Sequence, residues 1–243
     1  MKNHSIVIFR LRIFFFFLLT VFFSSIRSLR QEALIDSSDK QILTTIGISS
    51  GVLSVGTFLY DKNINSFFQE NRTRNIEHLS DAMHFIGDYR VLAGMNLLGY
   101  GGGLLFKDET LKNTSINAFK SLISTALITG GTKEIFGRAR PYTGKDPDHF
   151  RPFPVFDEES DSYRSLPSAH ASLSFALFTP FAEEYSRWLY LVPASIGISR
   201  IYSNHHWASD VIIGATFGFF SGYFFYHKNR NIEVTFNGIV IKF

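Results

Sequence analysis

Six helix-length segments constrain what this chain can fold into more than any other feature. They run from about Gln41 to Tyr60, Tyr89 to Phe106, Ser115 to Gly137, Ser168 to Ala182, Arg187 to Ser199 and Asp210 to Tyr226. Most are rich in Gly, Ala, Ser and Thr, residues that let helix backbones approach closely in a bilayer and that also occur in soluble bundles. Only the last, from Val211 to Tyr226, is convincingly apolar throughout. The expected fold class is all-α, a helical bundle of about six core helices embedded in a membrane. With 243 residues the chain is long enough for one sizeable core, and no Pro/Gly/Ser-rich linker divides it.

The two ends carry different signals. Basic residues up to Arg12 precede an apolar run from Ile13 to Phe23 and then Ser24 and Ser25, the order of a signal peptide or signal anchor over residues 1–28. That run is short for a full span, which needs about 20 apolar residues. At the other end, Ile232 to Phe236 and Ile239 to Phe243 flank Asn237-Gly238, so residues 231–243 are expected to form a short β-hairpin. Pairing Phe236 with Ile239 would set Val234 opposite Ile241, Ile232 opposite Phe243 and Glu233 opposite Lys242. Between the first two helical segments, Asp61 to Asp88 is polar but carries Leu79, Met83 and Phe85, a spacing that suits an amphipathic helix at an interface or a solvated helix with a buried stripe. Tyr142 to Leu166 lacks periodicity and reads as one long loop, of the length that forms lids or binding loops.

Charge and cysteine content narrow the partners. A formal charge of +3, drawn partly from Lys2, Arg10 and Arg12, makes no basic stripe for nucleic acid, so no nucleic-acid partner is expected. The absence of cysteine removes disulfides, thiolate chemistry and cysteine-ligated metal together.

Three short clusters carry the chemistry. Lys133 and Arg140 stand seven apart, about two helical turns, on a helix that Pro141 would stop. Alone, such a pair also suits a basic helix end facing solvent or headgroups, and nearby Arg138 reads as a bystander of that kind. Pro167-Ser168-Ala169-His170 opens an apolar helix; Ser168 can cap it, the free N–H groups there favour an anion, and His170 lies in the first turn. Ser199-Arg200 precedes His206 and Asp210, which are one helical turn apart, so the carboxylate can accept from one imidazole nitrogen and leave the other free. His205 stands five from Asp210 and points away from that face. With no companion ligands at a matching spacing, no metal site and no cofactor are expected.

The order Lys-x6-Arg-Pro, then Pro-Ser-x-His, then Ser-Arg-x5-His-x3-Asp resembles the type 2 phosphatidic acid phosphatase superfamily, which shares its helical fold with vanadium haloperoxidases and class A acid phosphatases. Lys133, Arg140 and Pro141 match the first part, Pro167, Ser168 and His170 the second, and Ser199, Arg200, His206 and Asp210 the third. Ala169 stands where the family has Gly. The resemblance covers roughly Ser115 to Tyr226, within a phosphatase domain expected over residues 41–226. It implies that His206 is the nucleophile that forms a phosphohistidine, that Asp210 orients it, and that His170 is the acid and base. Lys133, Arg140, Ser168, Ala169 and Arg200 would hold the phosphate.

The expected activity is metal-independent hydrolysis of a lipid phosphate monoester or diphosphate, with a membrane as partner. The expected address is a bacterial cell envelope with the site on the extracytoplasmic side. Alternatives are an exported acid phosphatase of the soluble type, a lipid phosphotransferase, a vanadate-dependent haloperoxidase and a non-catalytic membrane scaffold.

Overall fold

The computed structural model describes residues 37–156, 158–230, 232–235 and 238–241. The N-terminal run expected as a signal lies outside them. Two compact units are distinguished, one ending at Ser49 and one spanning residues 50–242. Of the first, residues 37–49 are described and form the opening turns of a helix.

Seven helices account for most of the described chain: α1 Ser37–Glu70, α2 Arg74–Ile86, α3 Tyr89–Leu105, α4 Glu109–Phe136, α5 Ala169–Glu184, α6 Leu191–Tyr202 and α7 Ala208–Arg230. Six correspond to the expected segments, and α2 is the amphipathic candidate. α1 does not stop at Tyr60; it runs ten residues further, which places Asp61 inside the helix and not at the head of a loop. Leu43–Glu70 and Ala208–Lys228 are long and apolar enough to cross a membrane.

Local chemistry sets several of the boundaries. The Asp88 carboxylate accepts from the Arg90 amide at 2.9 Å and opens α3, and Asp108 accepts from the Leu111 amide at 3.0 Å and opens α4. α4 ends at Phe136 because Gly137 adopts the left-handed conformation, φ 56°, where a Cβ would lie 1.6 Å from the Arg151 carbonyl oxygen. The helix therefore ends five residues before Pro141, which instead opens a 3₁₀ turn over Pro141–Thr143.

Packing around α5 builds the platform for the site. Leu92, Ala118, Leu177 and Phe178 form a buried apolar cluster from α3, α4 and α5. On its other side α5 meets α7 across Gly214, Gly218 and Gly222. A Cβ at Gly218 would stand 2.0 Å from the Ser172 carbonyl oxygen, and one at Gly214 would stand 2.6 Å from that of Ser168. These glycines let the two backbones touch, as small residues do between membrane helices. At the same end of α7, the Ser168 amide donates to the Asp210 carbonyl at 3.0 Å, which fixes the start of α5 against the start of α7.

The C-terminal strands β1 Ile232–Thr235 and β2 Gly238–Ile241 pair antiparallel in a register that differs from the expected one. Ile232 pairs with Ile241, Val234 with Ile239 and Thr235 with Gly238, and Glu233 meets Val240 in place of Lys242. Every partner is moved by two from that expectation, so the hairpin is not upheld in its expected form. Residues 236, 237, 242 and 243 lie outside the described residues.

Candidate active site

The segment that leaves α4 and the segment that leads into α5 run side by side. Ala139 donates its amide to the His149 carbonyl at 2.9 Å, Arg151 donates to that of Gly137 at 2.7 Å, Arg140 to that of Ser162 at 2.9 Å, and Ser165 to that of Arg138 at 3.0 Å. The long loop is thus held at both margins by backbone hydrogen bonds, with short 3₁₀ turns at Pro141–Thr143, Pro154–Phe156 and Ser160–Tyr163. Lys133 and Arg140 approach each other through this reversal at Gly137 and not along one continuous helix. Each lies within electrostatic reach of the other.

Every cation of the expected set is braced by a different partner. The Lys133 ammonium donates to the Arg164 carbonyl, and Arg164 in turn pairs with Glu134. Arg140 grips Asp161 through its backbone oxygen at 2.9 Å and its carboxylate at 2.8 Å. Arg200, buried at the end of α6, donates to Nδ1 of His84. Their charges meet at His206: Arg140, Lys133 and Arg200 all act on this fully buried imidazole.

His206 lies in the turn before α7. Its Nδ1 stands 3.8 Å from Asp210 Oδ2 and 3.5 Å from the Ser165 hydroxyl, which itself donates to Oδ2 at 2.5 Å. Ser165 therefore bridges a gap too long for a direct hydrogen bond between imidazole and carboxylate. With Nδ1 turned to these oxygens, Nε2 is the nitrogen left for chemistry. Burial, opposed by the Asp210 contact and reinforced by the three cations, holds the His206 pKa well below the usual imidazole value. The ring is accordingly neutral at neutral pH.

Asp210 is fully occupied. Oδ2 accepts from Ser165 and from the Trp207 amide at 3.0 Å, and Oδ1 accepts from Arg138 at 2.6 Å. Arg138 is no bystander: it is completely buried, reaches Asp61 at 2.8 Å, Ser209 at 2.8 Å and the Pro147 carbonyl at 2.7 Å, and packs over Phe58 with its guanidinium carbon 4.7 Å from the ring centre. Asp61 also accepts from the Ser209 amide and hydroxyl, at 2.9 and 2.5 Å. A buried chain Asp61–Arg138–Asp210–Ser165 thus stands behind His206. Trp207 completes it by donating its indole N–H to the Ala139 carbonyl at 2.8 Å.

The second motif is arranged differently from expectation in one respect. Ser168 precedes the first residue of α5, Ala169, but its hydroxyl makes no capping hydrogen bond. Among the described residues, three buried polar atoms of the expected site have no partner: Ser168 Oγ, His170 Nε2 and Arg200 Nε. His170 stacks on His84, ring centres 4.8 Å apart, and lies within electrostatic reach of Arg200 and Arg140. His205 turns its Nδ1 to the Ser203 carbonyl at 2.8 Å, away from Asp210.

Four participants were missed or misjudged in the sequence. Asp61 had a usable signal, an ionisable residue within a long apolar segment. Arg138, Ser165 and His84 had none that local spacing provides, because each acquires its role from a partner at least 45 positions away.

Residues 115–233 match the family model described as the PAP2 superfamily. These residues belong to the PAP2 superfamily. Over 146 residues the chain is 33% identical to a lipid A 1-phosphatase of Porphyromonas gingivalis, a match that covers 54% of this chain and 27% of that protein. A lipid A 1-phosphatase of Rhizobium etli is 25% identical over 189 residues, covering 70% of this chain and 78% of the relative. Among solved structures, a transmembrane PAP2-type phosphatidylglycerolphosphate phosphatase from Bacillus subtilis superposes with a TM-score of 0.60 at 18% identity, over 79% of this chain and 97% of that one. At that identity the likeness speaks to the PAP2 fold. Two of its helices, Leu43–Glu70 and Ala208–Lys228, are long and apolar enough to cross a membrane.

Proposed function

We propose that this protein is a metal-independent phosphatase that hydrolyses a lipid phosphate monoester through a phosphohistidine at His206, with the 1-phosphate of lipid A as first candidate substrate. The observation that carries the proposal is the contrast inside the site. Asp210 and Ser165 are engaged, whereas Ser168 Oγ, His170 Nε2 and Arg200 Nε are buried without partners, a donor-rich set matched to the oxygens of a phosphoryl group. The lipid A 1-phosphatases among the relatives support the substrate class.

In the first step Nε2 of His206 attacks phosphorus as the bond from phosphorus to the lipid oxygen breaks, and His170 delivers a proton to the leaving oxygen. In the second, a water oxygen attacks phosphorus, its proton passes to His170, and the N–P bond breaks to release phosphate. Lys133, Arg140 and Arg200, with the Ser168 hydroxyl and the amide groups at Ala169 and the start of α5, stabilise charge on the equatorial oxygens. Asp210, held by Arg138 on one oxygen and Ser165 on the other, orients the imidazole through Nδ1.

Phosphate release from a panel of lipid A 1-phosphate, phosphatidate, phosphatidylglycerophosphate, an isoprenyl diphosphate and a soluble phosphomonoester, with EDTA present throughout, tests this function. Turnover of a lipid phosphate above the soluble one is expected. No release from any member, or activity that EDTA abolishes, would sink it.

The site is further proposed to face the extracytoplasmic side of a bacterial envelope membrane, a placement supported by the basic-then-apolar N-terminal run. Because the chain has no cysteine, a single one placed by Asp146→Cys in the loop beside the site reports the side directly. Asp146 is exposed, 65% for its side chain. In intact cells it should react with a membrane-impermeant maleimide; labelling only after lysis would reverse the orientation.

A further inference from the structure

His84 lies outside the three clusters and outside the stretch matched to the family, residues 115–233. It sits in the last turn of α2, a separate element, yet its ring touches two members of the proposed phosphate site at once. Nδ1 meets an N–H of Arg200, and the ring stacks on His170 at 4.8 Å between centres with 21° between planes. A guanidinium has donors only, so Nδ1 of His84 must be the acceptor, and the imidazole proton resides on Nε2. In that state the ring restrains a guanidinium whose Nε is buried without a partner. The nearly parallel stacking of His84 on His170, and of His84 on His205 at 6.3 Å and 19°, does not converge three ring nitrogens on one metal ion.

The connection of α2 to this site is structural as well as chemical. Ser80, one turn before His84, donates its hydroxyl to the Ser199 carbonyl at 3.2 Å, which ties α2 to the turn of α6 that presents Arg200. Gly87 follows at the C-cap, and a Cβ there would lie 3.0 Å from His170 Cδ2 and 2.6 Å from Ile196 Cγ2. A side chain at position 87 would therefore push into the ring His84 stacks upon. The end of α2 is built against both Arg200 and His170.

We infer that His84 is a positioning residue for phosphoryl transfer: its Nδ1 orients the Arg200 guanidinium toward the equatorial oxygens, and its ring sets the plane of His170. This rests on the phosphatase function proposed above. Since Arg200 would meet the charge that grows on those oxygens in the transition state, misaligning it should cost more there than in substrate binding.

Three substitutions separate the acceptor from the ring. His84→Ala removes both, His84→Phe keeps an aromatic face for His170 but offers no acceptor, and His84→Asn places an amide oxygen near the position of Nδ1. His84→Ala and His84→Phe are expected to lower kcat by about tenfold or more with KM changed far less, and His84→Asn to recover most of the loss. Inhibition by orthovanadate, a mimic of the five-coordinate phosphorus, should weaken in the Ala and Phe variants far more than inhibition by inorganic phosphate.

Wild-type kcat in His84→Ala, or full recovery by Phe and none by Asn, would overturn the role assigned to Nδ1. If wild-type protein turns over no substrate, the phosphatase function fails on its own. Calorimetric titration with orthovanadate then still tests His84: weaker binding by the Ala variant than by wild type and Asn supports the inference, and equal binding overturns it. Thermal melting of each variant in detergent separates these effects from loss of folded protein.

Discussion

Arg138→Met is expected to destabilise the protein by about 3–5 kcal/mol, the cost of leaving buried charge without its partner. The guanidinium is completely buried and reaches two completely buried carboxylates, Asp61 at 2.8 Å and Asp210 at 2.6 Å, on helices α1 and α7. Methionine fills most of the volume but leaves both carboxylates facing an apolar contact. Arg138→Lys should rescue only in part. One ammonium cannot span Asp61, Asp210, the Ser209 hydroxyl and the Pro147 carbonyl as the planar fork does. Asp61→Asn placed in the Arg138→Met background should recover stability, because it removes one of the two stranded charges, while alone it should be destabilising. That change of sign, read as a coupling in a double-mutant cycle by thermal or denaturant unfolding in detergent, is the decisive result. Additive losses would mean that the relay is no unit.

His206→Ala is expected to reduce phosphate release by about four orders of magnitude or more, and to abolish acid-labile phosphate on protein quenched during turnover. The fold should survive, since the contacts of Nδ1 with the Ser165 hydroxyl and the Asp210 carboxylate are long, at 3.5 and 3.8 Å. Residual turnover above about one hundredth of wild type would shift the nucleophile to another group. The pH profile adds an independent check. Burial and three cations hold the His206 pKa well below 6.5, so its lone pair stays free as the pH falls through that value. The acid limb of kcat/KM that His206 sets should therefore lie well below the position of a free imidazole. The stability sign is the same. Between the two values the unfolded chain binds the proton more readily, so the contribution of neutral His206 is full above about pH 6.5 and is lost as the pH falls toward the folded value.

Local pattern revealed part of this arrangement and concealed the rest. The one-turn spacing from His206 to Asp210 anticipated which histidine turns toward the carboxylate, and His205 indeed bonds to Ser203. The same logic failed for Lys133 and Arg140. Seven residues suggested two turns of helix, whereas Gly137 in the left-handed region ends the helix and an extended segment carries Arg140. Arg138 was misjudged for a related reason. It follows the left-handed Gly137 directly, and its neighbours' backbone hydrogen bonds to His149 and Ser162 hold the segment so that Arg138 reaches Asp61 and Asp210 while Arg140 meets Asp161.

By itself the sequence determined the helices and the chemical inventory. Period, capping residues and composition are local, so α3 begins at Tyr89 as expected, and the histidines, cations and Asp210 are present in the order of the PAP2 motifs. Only the tertiary structure decided which of those groups stand behind His206 and which stand before it. Ser165 reaches Asp210 across 45 positions, Arg138 across 72, and Arg200 reaches His84 across 116. Such pairings are set by the contact of α5 with α7 and by the reversal after α4, because a buried charge takes whichever partner the packed backbone brings within hydrogen-bonding distance.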